Sequence, residues 1–322
     1  MSKTFLVSSM MLLALAAAPE PVLAQGFPAQ PIRLISGGAA GGGWDLAARL
    51  LAERMKDDLG HAVIVDTRPG ADGILAANAV AAAAPDGYTL LPAVTSVMIM
   101  NPVVHDKLSY EPLRDFEPIS LVGIYPLVMA VNPAVPAKTL KELIALAKDQ
   151  PGKLNYGSAN SAYTFATEVF MQQTGASFYR IPYKGSAQTV TALVAGDVQV
   201  ALIDAASALP QIKSGRIRAL AVASPRRPSF LPDTPTMAEA GLSSYELMLW
   251  IGMFAPARTP HDVIARLHTS IERSLQVPEF RERLTNAGVL PMSTTPDELR
   301  DLVRRDLAQA REITKLVRMG AE

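Results

Sequence analysis

Apolar positions along the chain switch repeatedly between two spacings. Short dense runs at 32–35, 62–65 and 88–94 have the character of buried strands. Between them Leu46, Leu50, Leu51, Met55 and Leu59 recur on one face of a helix, and Gly60 stops it. The alanine-rich stretch 74–84 predicts a second helix, closed by Pro85-Asp86-Gly87. Strand, helix, strand, helix, strand with short connections predicts a parallel sheet covered by helices.

The alternation resumes further on. Residues 121–130 are largely apolar, long enough to pass from one lobe into another, and 247–255 reads as a second crossing strand. Between them, strands at 154–157, 179–181, 198–203 and 219–224 alternate with helical runs around 162–174, 186–195 and 206–214. Helix starts are well marked: Thr139 with Glu142 and Thr295 with Glu298 form capping boxes. Thr259-Pro260 and Thr295-Pro296 each place a capping Thr before a Pro at the first helical position. The expected architecture is α/β with two lobes, 25–125 plus 248–322 and 126–247, and a ligand cleft between them.

The first 24 residues do not join this pattern. Lys3 precedes an apolar run from Phe5 to Ala18, and Val22-Leu23-Ala24 offers a signal-peptidase site, so cleavage is expected before Gln25. The run is shorter than the ~20 apolar residues a bilayer span needs. No other stretch approaches that length without charges.

Composition narrows the chemistry. The 322 residues contain no Cys, which excludes disulfides and cysteine-ligated metals and fits export. Thirty basic residues balance thirty acidic ones, so nothing suggests a nucleic-acid partner. The four histidines, His61, His105, His261 and His268, are scattered and lack carboxylates at metal-ligand spacing. There is no Gly-x-Ser-x-Gly elbow, no cofactor-binding motif and no thiol nucleophile, so an enzyme is not expected.

The most informative stretch is Ser36-Gly37-Gly38-Ala39-Ala40-Gly41-Gly42-Gly43-Trp44-Asp45, lying between a strand and a helix. Glycines there allow close backbone approach, and a helix N-terminus attracts an anion. It is neither a P-loop nor a dinucleotide fingerprint. A flexible turn with Asp45 as a simple cap is the plainer reading of the same residues.

The order of segments resembles the Bug/TctC family, the extracytoplasmic solute-binding proteins of tripartite tricarboxylate transporters. The resemblance is carried by Pro31-Ile32-Arg33-Leu34-Ile35, Gly41-Gly42-Gly43-Trp44-Asp45, Arg68-Pro69-Gly70-Ala71 and Ala84-Pro85-Asp86-Gly87-Tyr88. Asp115-Phe116-Glu117-Pro118, Pro151-Gly152-Lys153-Leu154-Asn155-Tyr156-Gly157-Ser158, Pro182-Tyr183-Lys184-Gly185 and Leu231-Pro232-Asp233-Thr234-Pro235 extend it along the chain. It implies a type II periplasmic-binding-protein (Venus-flytrap) fold with two crossover strands, a periplasmic monomer, a small carboxylate ligand and membrane permease subunits as partners. A ligand-responsive sensor docking on a membrane signalling protein is the alternative role.

The resemblance also implies a site. Gly41, Gly42, Gly43, Trp44 and Asp45 correspond to one loop that grips the ligand carboxylate; Ser158, Asn160 and Ser161 belong to the facing loop. The latter three read equally well as turn and cap residues. Thr95 ends a strand near the cleft, and Tyr183 follows another. Asp204 matches an acid lining the family's cleft, or simply caps the next helix. Trp44 stands where many members carry Ser or Thr, so the ligand's identity does not follow.

Overall fold

The computed structural model describes residues 26–39, 43–245 and 247–316; residues 1–24, where an export signal is expected, and Gly41 and Gly42 of the glycine stretch, lie outside the described residues. One lobe is built on a six-stranded sheet. In sheet order its strands are β11 (Leu290–Pro291), β4 (Phe116–Tyr125), β10 (Leu249–Pro256), β3 (Thr89–Val94), β1 (Ile32–Ser36) and β2 (Val63–Thr67). β1 runs parallel to both β2 and β3, and α1 (Gly43–Leu59) and α2 (Ile74–Ala81) are the crossovers that this pairing demands. β10 lies antiparallel between β3 and β4.

The other lobe holds a five-stranded sheet in the order β7 (Phe178–Pro182), β6 (Leu154–Ser158), β8 (Val200–Asp204), β5 (Leu127–Val131) and β9 (Arg218–Ala223). Its helices are α5 (Leu140–Asp149), α6 (Ser161–Thr174), α7 (Ser186–Ala195) and α8 (Ala205–Lys213), while the first lobe also carries α3 (Asn101–Val104), α4 (Pro112–Asp115) and α10 (Pro278–Asn286). Both faces of the five-stranded sheet are buried. Val128, Ala130, Ala201 and Ile203 point into one apolar cluster, while Leu127, Met129, Val131, Val200 and Leu202 point into another. The second cluster is shared between the lobes: Phe165 and Phe170 of α6 belong to it together with Val97 and Trp250 of the first lobe.

Residues 121–130 are two strands rather than one. Pro126 separates β4 from β5, because it has no N–H to continue a ladder, and its carbonyl accepts from Ala205 N at 3.0 Å. The second helix ends at Ala81, short of residue 84, where Ala82 N closes onto Asn78 O. The start of α9 (His261–Gln276) also differs from expectation. Pro260, not Thr259, is the cap, and the Thr259 hydroxyl turns back to Pro256 O at 2.7 Å. The 295–298 box is present at the head of α11 (Pro296–Leu316): Thr295 N donates to Glu298 Oε2 at 2.8 Å and Glu298 N to Thr295 Oγ1 at 3.2 Å. No described helix is long and apolar enough to cross a membrane.

Candidate functional site

The lobes meet where strand ends and helix beginnings converge. β1 runs into the glycine stretch, and α1 begins at Gly43. A Cβ on Gly43 would lie 3.0 Å from Asp204 Oδ1, 3.2 Å from the Ala206 methyl and 3.4 Å from the Tyr125 ring. The N-terminus of a helix in one lobe therefore faces a carboxylate of the other, a favourable pairing of a helix dipole with a negative charge.

Asp204 is 1% exposed and fully engaged. Oδ1 accepts from Ser207 N at 2.8 Å, the cap of α8, and Oδ2 accepts from the Tyr163 hydroxyl at 2.9 Å. Tyr125 donates to the Gly43 carbonyl at 3.2 Å. Burial holds both phenols well above the ordinary tyrosine range, and the Asp204 charge adds to it, so they are neutral donors. Asp204 thus serves as helix cap and as interlobe acid together. Neither tyrosine was singled out in the sequence, since an apolar-looking strand end and helix turn carry no sign of a shared acid.

Trp44 and Asp45 are held inside the first lobe. The Trp44 indole donates to Pro92 O at 2.6 Å, and its ring fills the space left by Gly37 and Gly73; a Cβ at either would lie under 3 Å away. Asp45 is buried, accepting from Arg49 Nε at 2.9 Å and from the Thr67 hydroxyl at 3.2 Å. Thr95 is similarly occupied: its Oγ1 accepts from Trp250 N at 2.9 Å, fastening the end of β3 to β10.

In the facing loop, Asn160 caps α6, with Oδ1 accepting from Ala162 N at 3.0 Å and Tyr163 N at 3.2 Å. Ser158 bonds internally to Thr164 and Asn160. Ser161 reaches across the cleft, through its N–H and its hydroxyl, to the carboxylate of Asp72. Tyr183 adjoins this loop through its backbone, its N–H donating to Ser158 O at 2.8 Å. Its ring lies over Gly157, and its hydroxyl is raised by burial and by Asp197, which precedes β8 at the end opposite Asp204.

Asp72 is the residue that sequence reasoning missed. Ala71 and Asp72 both adopt left-handed backbone, with φ of 45° and 50°, directly after the Pro69-Gly70 turn. Asn101 Nδ2 holds the Asp72 carbonyl at 3.0 Å and is itself fully buried. Burial pushes the Asp72 carboxyl above the usual carboxylate range, and the Ser161 donors work against that push. A visible signal existed: an acid immediately after Gly-Ala in a tight turn tolerates this conformation better than most residues. Among the described residues, no group of three or more potential ligands is placed to hold a metal. A surface hollow lined by residues of 102–114 and 304–311 shares nothing with this cluster.

The family model for the tripartite tricarboxylate transporter family receptor, TctC, matches residues 47–319. The chain belongs to the TctC family. BugT of Bordetella pertussis is 35% identical over 298 residues, covering 92% of this chain and 91% of that protein. A solved periplasmic transporter superposes with a TM-score of 0.87 at 34% identity, covering 92% of this chain and 99% of that one. An R. palustris protein with adipate superposes with a TM-score of 0.86 at 30% identity, covering 90% and 97%. This TctC-family chain therefore has the two-lobed periplasmic-binding-protein fold expected of it.

Proposed function

We propose that the chain is an exported solute-binding protein that captures a small carboxylate, a di- or tricarboxylate or related organic acid, between its lobes. It then delivers that acid to the membrane permease subunits of a tripartite tricarboxylate transporter. Family membership and the adipate seen on a relative support the ligand class. The observation that carries the reading in this chain is the α1 N-terminus opening at Gly43 onto the face of the other lobe. The amides of Gly41, Gly42 and Gly43 are the proposed grip on the carboxylate. Trp44, Asp45 and Thr95 hold that grip in shape from behind. The lobes are taken as 25–125 plus 248–322 and 126–247, with the mature protein a periplasmic monomer beginning near Gln25 and acting without catalysis.

A ligand touching both lobes favours their closure, because only a difference in affinity between states shifts the equilibrium. A thermal-shift panel of di- and tricarboxylates, amino acids and aromatic acids tests the reading. At a hundred times its Kd, a specific acid stabilises the fold by about 2.7 kcal/mol, a rise in Tm on the order of 5 °C. A panel in which no acid raises Tm refutes carboxylate capture.

A further inference from the structure

The Asp72 carboxyl joins the two lobes across the cleft. It sits in the turn 71–73 that follows β2 in the first lobe, and Ser161 opens α6 in the second. Ser161 N donates at 3.0 Å to Asp72 Oδ2, and the Ser161 hydroxyl donates to the same oxygen. The next amides of α6 stay within their own lobe: Ala162 N and Tyr163 N go to the Asn160 side chain, and Thr164 N to the Asn160 carbonyl.

The turn that carries Asp72 is fixed to the core of its lobe. Asn101 Nδ2 donates to the Asp72 carbonyl at 3.0 Å and to the Tyr110 hydroxyl at 3.3 Å, and Tyr110 donates in turn to Val97 O at 2.6 Å. Asn101 and Tyr110 are buried, so this chain of bonds holds Ala71 and Asp72 in their left-handed backbone. Burial pushes the Asp72 carboxyl toward its neutral form, but a neutral carboxyl still accepts both Ser161 donors through its carbonyl oxygen. The link therefore needs no charge.

Its place in the fold makes it breakable. Pro126 joins β4 to β5, and its bond from Ala205 N lies at that junction. The head of α6 follows β6 instead, which stands two strands from β5 in its sheet, roughly 10 Å away. A turn of the lobes about Pro126 parts Asp72 from Ser161 and leaves the junction intact. We propose that Asp72 is a positioning residue for ligand retention: its bond to Ser161 is a latch that forms as the lobes close and must break before the bound solute leaves. This rests on the reading above of a solute held between the lobes.

The chain contains no Cys, so spin labels on Leu75→Cys and Gln172→Cys, exposed positions of α2 and α6, report the distance between the lobes. Asp72→Gly removes the acceptor and keeps the left-handed turn. Ser161→Pro removes both donors at the first helical position, where Pro is well tolerated. Asp72→Asn keeps an acceptor oxygen and tolerates the same backbone. Without added ligand, Asp72→Gly and Ser161→Pro should each shift the ratio of short to long distances roughly tenfold toward long, and Asp72→Asn should match the parent. Combining Asp72→Gly with Ser161→Pro should add nothing to either alone. Stopped-flow release of the tightest-binding di- or tricarboxylate of the thermal-shift panel should quicken roughly tenfold in the same two variants. The two cuts lie in different lobes, so a folding defect in one leaves the other to decide. Equal distances in all forms, additive effects in the double variant, or release at the parent rate overturn the latch. If no acid of the panel binds, carboxylate capture fails and the distances alone decide the latch.

Discussion

Gly43 separates lobe folding from lobe closure, so a methyl group placed there should affect the two in opposite directions. Its backbone is not among the left-handed glycines, so alanine fits the first turn of α1 without strain. Within the lobe, Gly→Ala at a helical position stabilises by about 0.5–1 kcal/mol. Across the cleft, the new Cβ lies 3.0 Å from Asp204 Oδ1, tighter than ordinary contact, and Asp204 cannot swing away without breaking its bonds to Ser207 N and Tyr163. Overpacking of this kind costs about 1–3 kcal/mol. Gly43→Ala should sit at the lower end, weakening ligand binding roughly fivefold to tenfold, and Gly43→Val at the upper end, roughly a hundredfold. Urea unfolding and titration calorimetry with the best acid of the panel measure the two effects separately. Unchanged affinity in Gly43→Val would refute the closing of the lobes on this contact. A fall in stability parallel to the fall in affinity would place the damage inside the lobe instead.

Other substitutions probe the remaining contacts. Tyr163→Phe leaves the buried Asp204 carboxylate one donor short and should cost about 1–3 kcal/mol, read as a lower urea midpoint and weaker ligand binding. Thr295→Ala removes the hydroxyl that accepts from Glu298 N at the head of α11 and should lower stability by about 1 kcal/mol in the same assay, with ligand affinity untouched. Glu168, half-buried and accepting from the Tyr156 hydroxyl at 3.1 Å, has its carboxyl raised by burial. Its folded form thus holds a proton more tightly than the unfolded chain, and the stability this contributes is complete below the ordinary Glu range and lost as pH rises through the raised value. Glu168→Gln should match the wild type near about pH 4 and exceed it in stability near about pH 8. A gap that widens toward acid would contradict the burial argument.

The parallel halves of both sheets were legible because strands and helices there alternate with clear periodicity and are punctuated by Gly, Pro and capping Thr. Where one residue outweighs the local pattern, the structure departs from it. Pro126 splits an apolar run that hydropathy presents as continuous, and the hydroxyl of Thr259 finds a closer acceptor in Pro256 O than the helix it precedes. The stretch 96–104 is apolar without a strand or helix period; it forms a π-helical turn, Ser96–Met100, running into a short helix, Asn101–Val104. At the site, Gly43 and Asp204 were readable as a loop glycine and a strand-end acid. What could not be read was pairing between distant segments. Asp72 with Ser161 across the cleft, and Tyr163 with Asp204 within one lobe, are separated by 89 and 41 residues, and no local spacing encodes such contacts.

Pro126 has a mechanical consequence. A bridge of one residue between β4 and β5 leaves no slack for the lobes to slide, so relative motion there reduces to turning about a pivot. Asp204 pairs with Leu127 in the first rung beside that pivot. The cleft acid consequently sits near the fulcrum of a lever whose long arms end at the outer edges of the two lobes. Displacements of a few tenths of an ångström at the acid are multiplied at those rims in proportion to their distance from Pro126. Under the proposed closure, the largest change of shape falls far from the cleft, at the outer rims of the lobes.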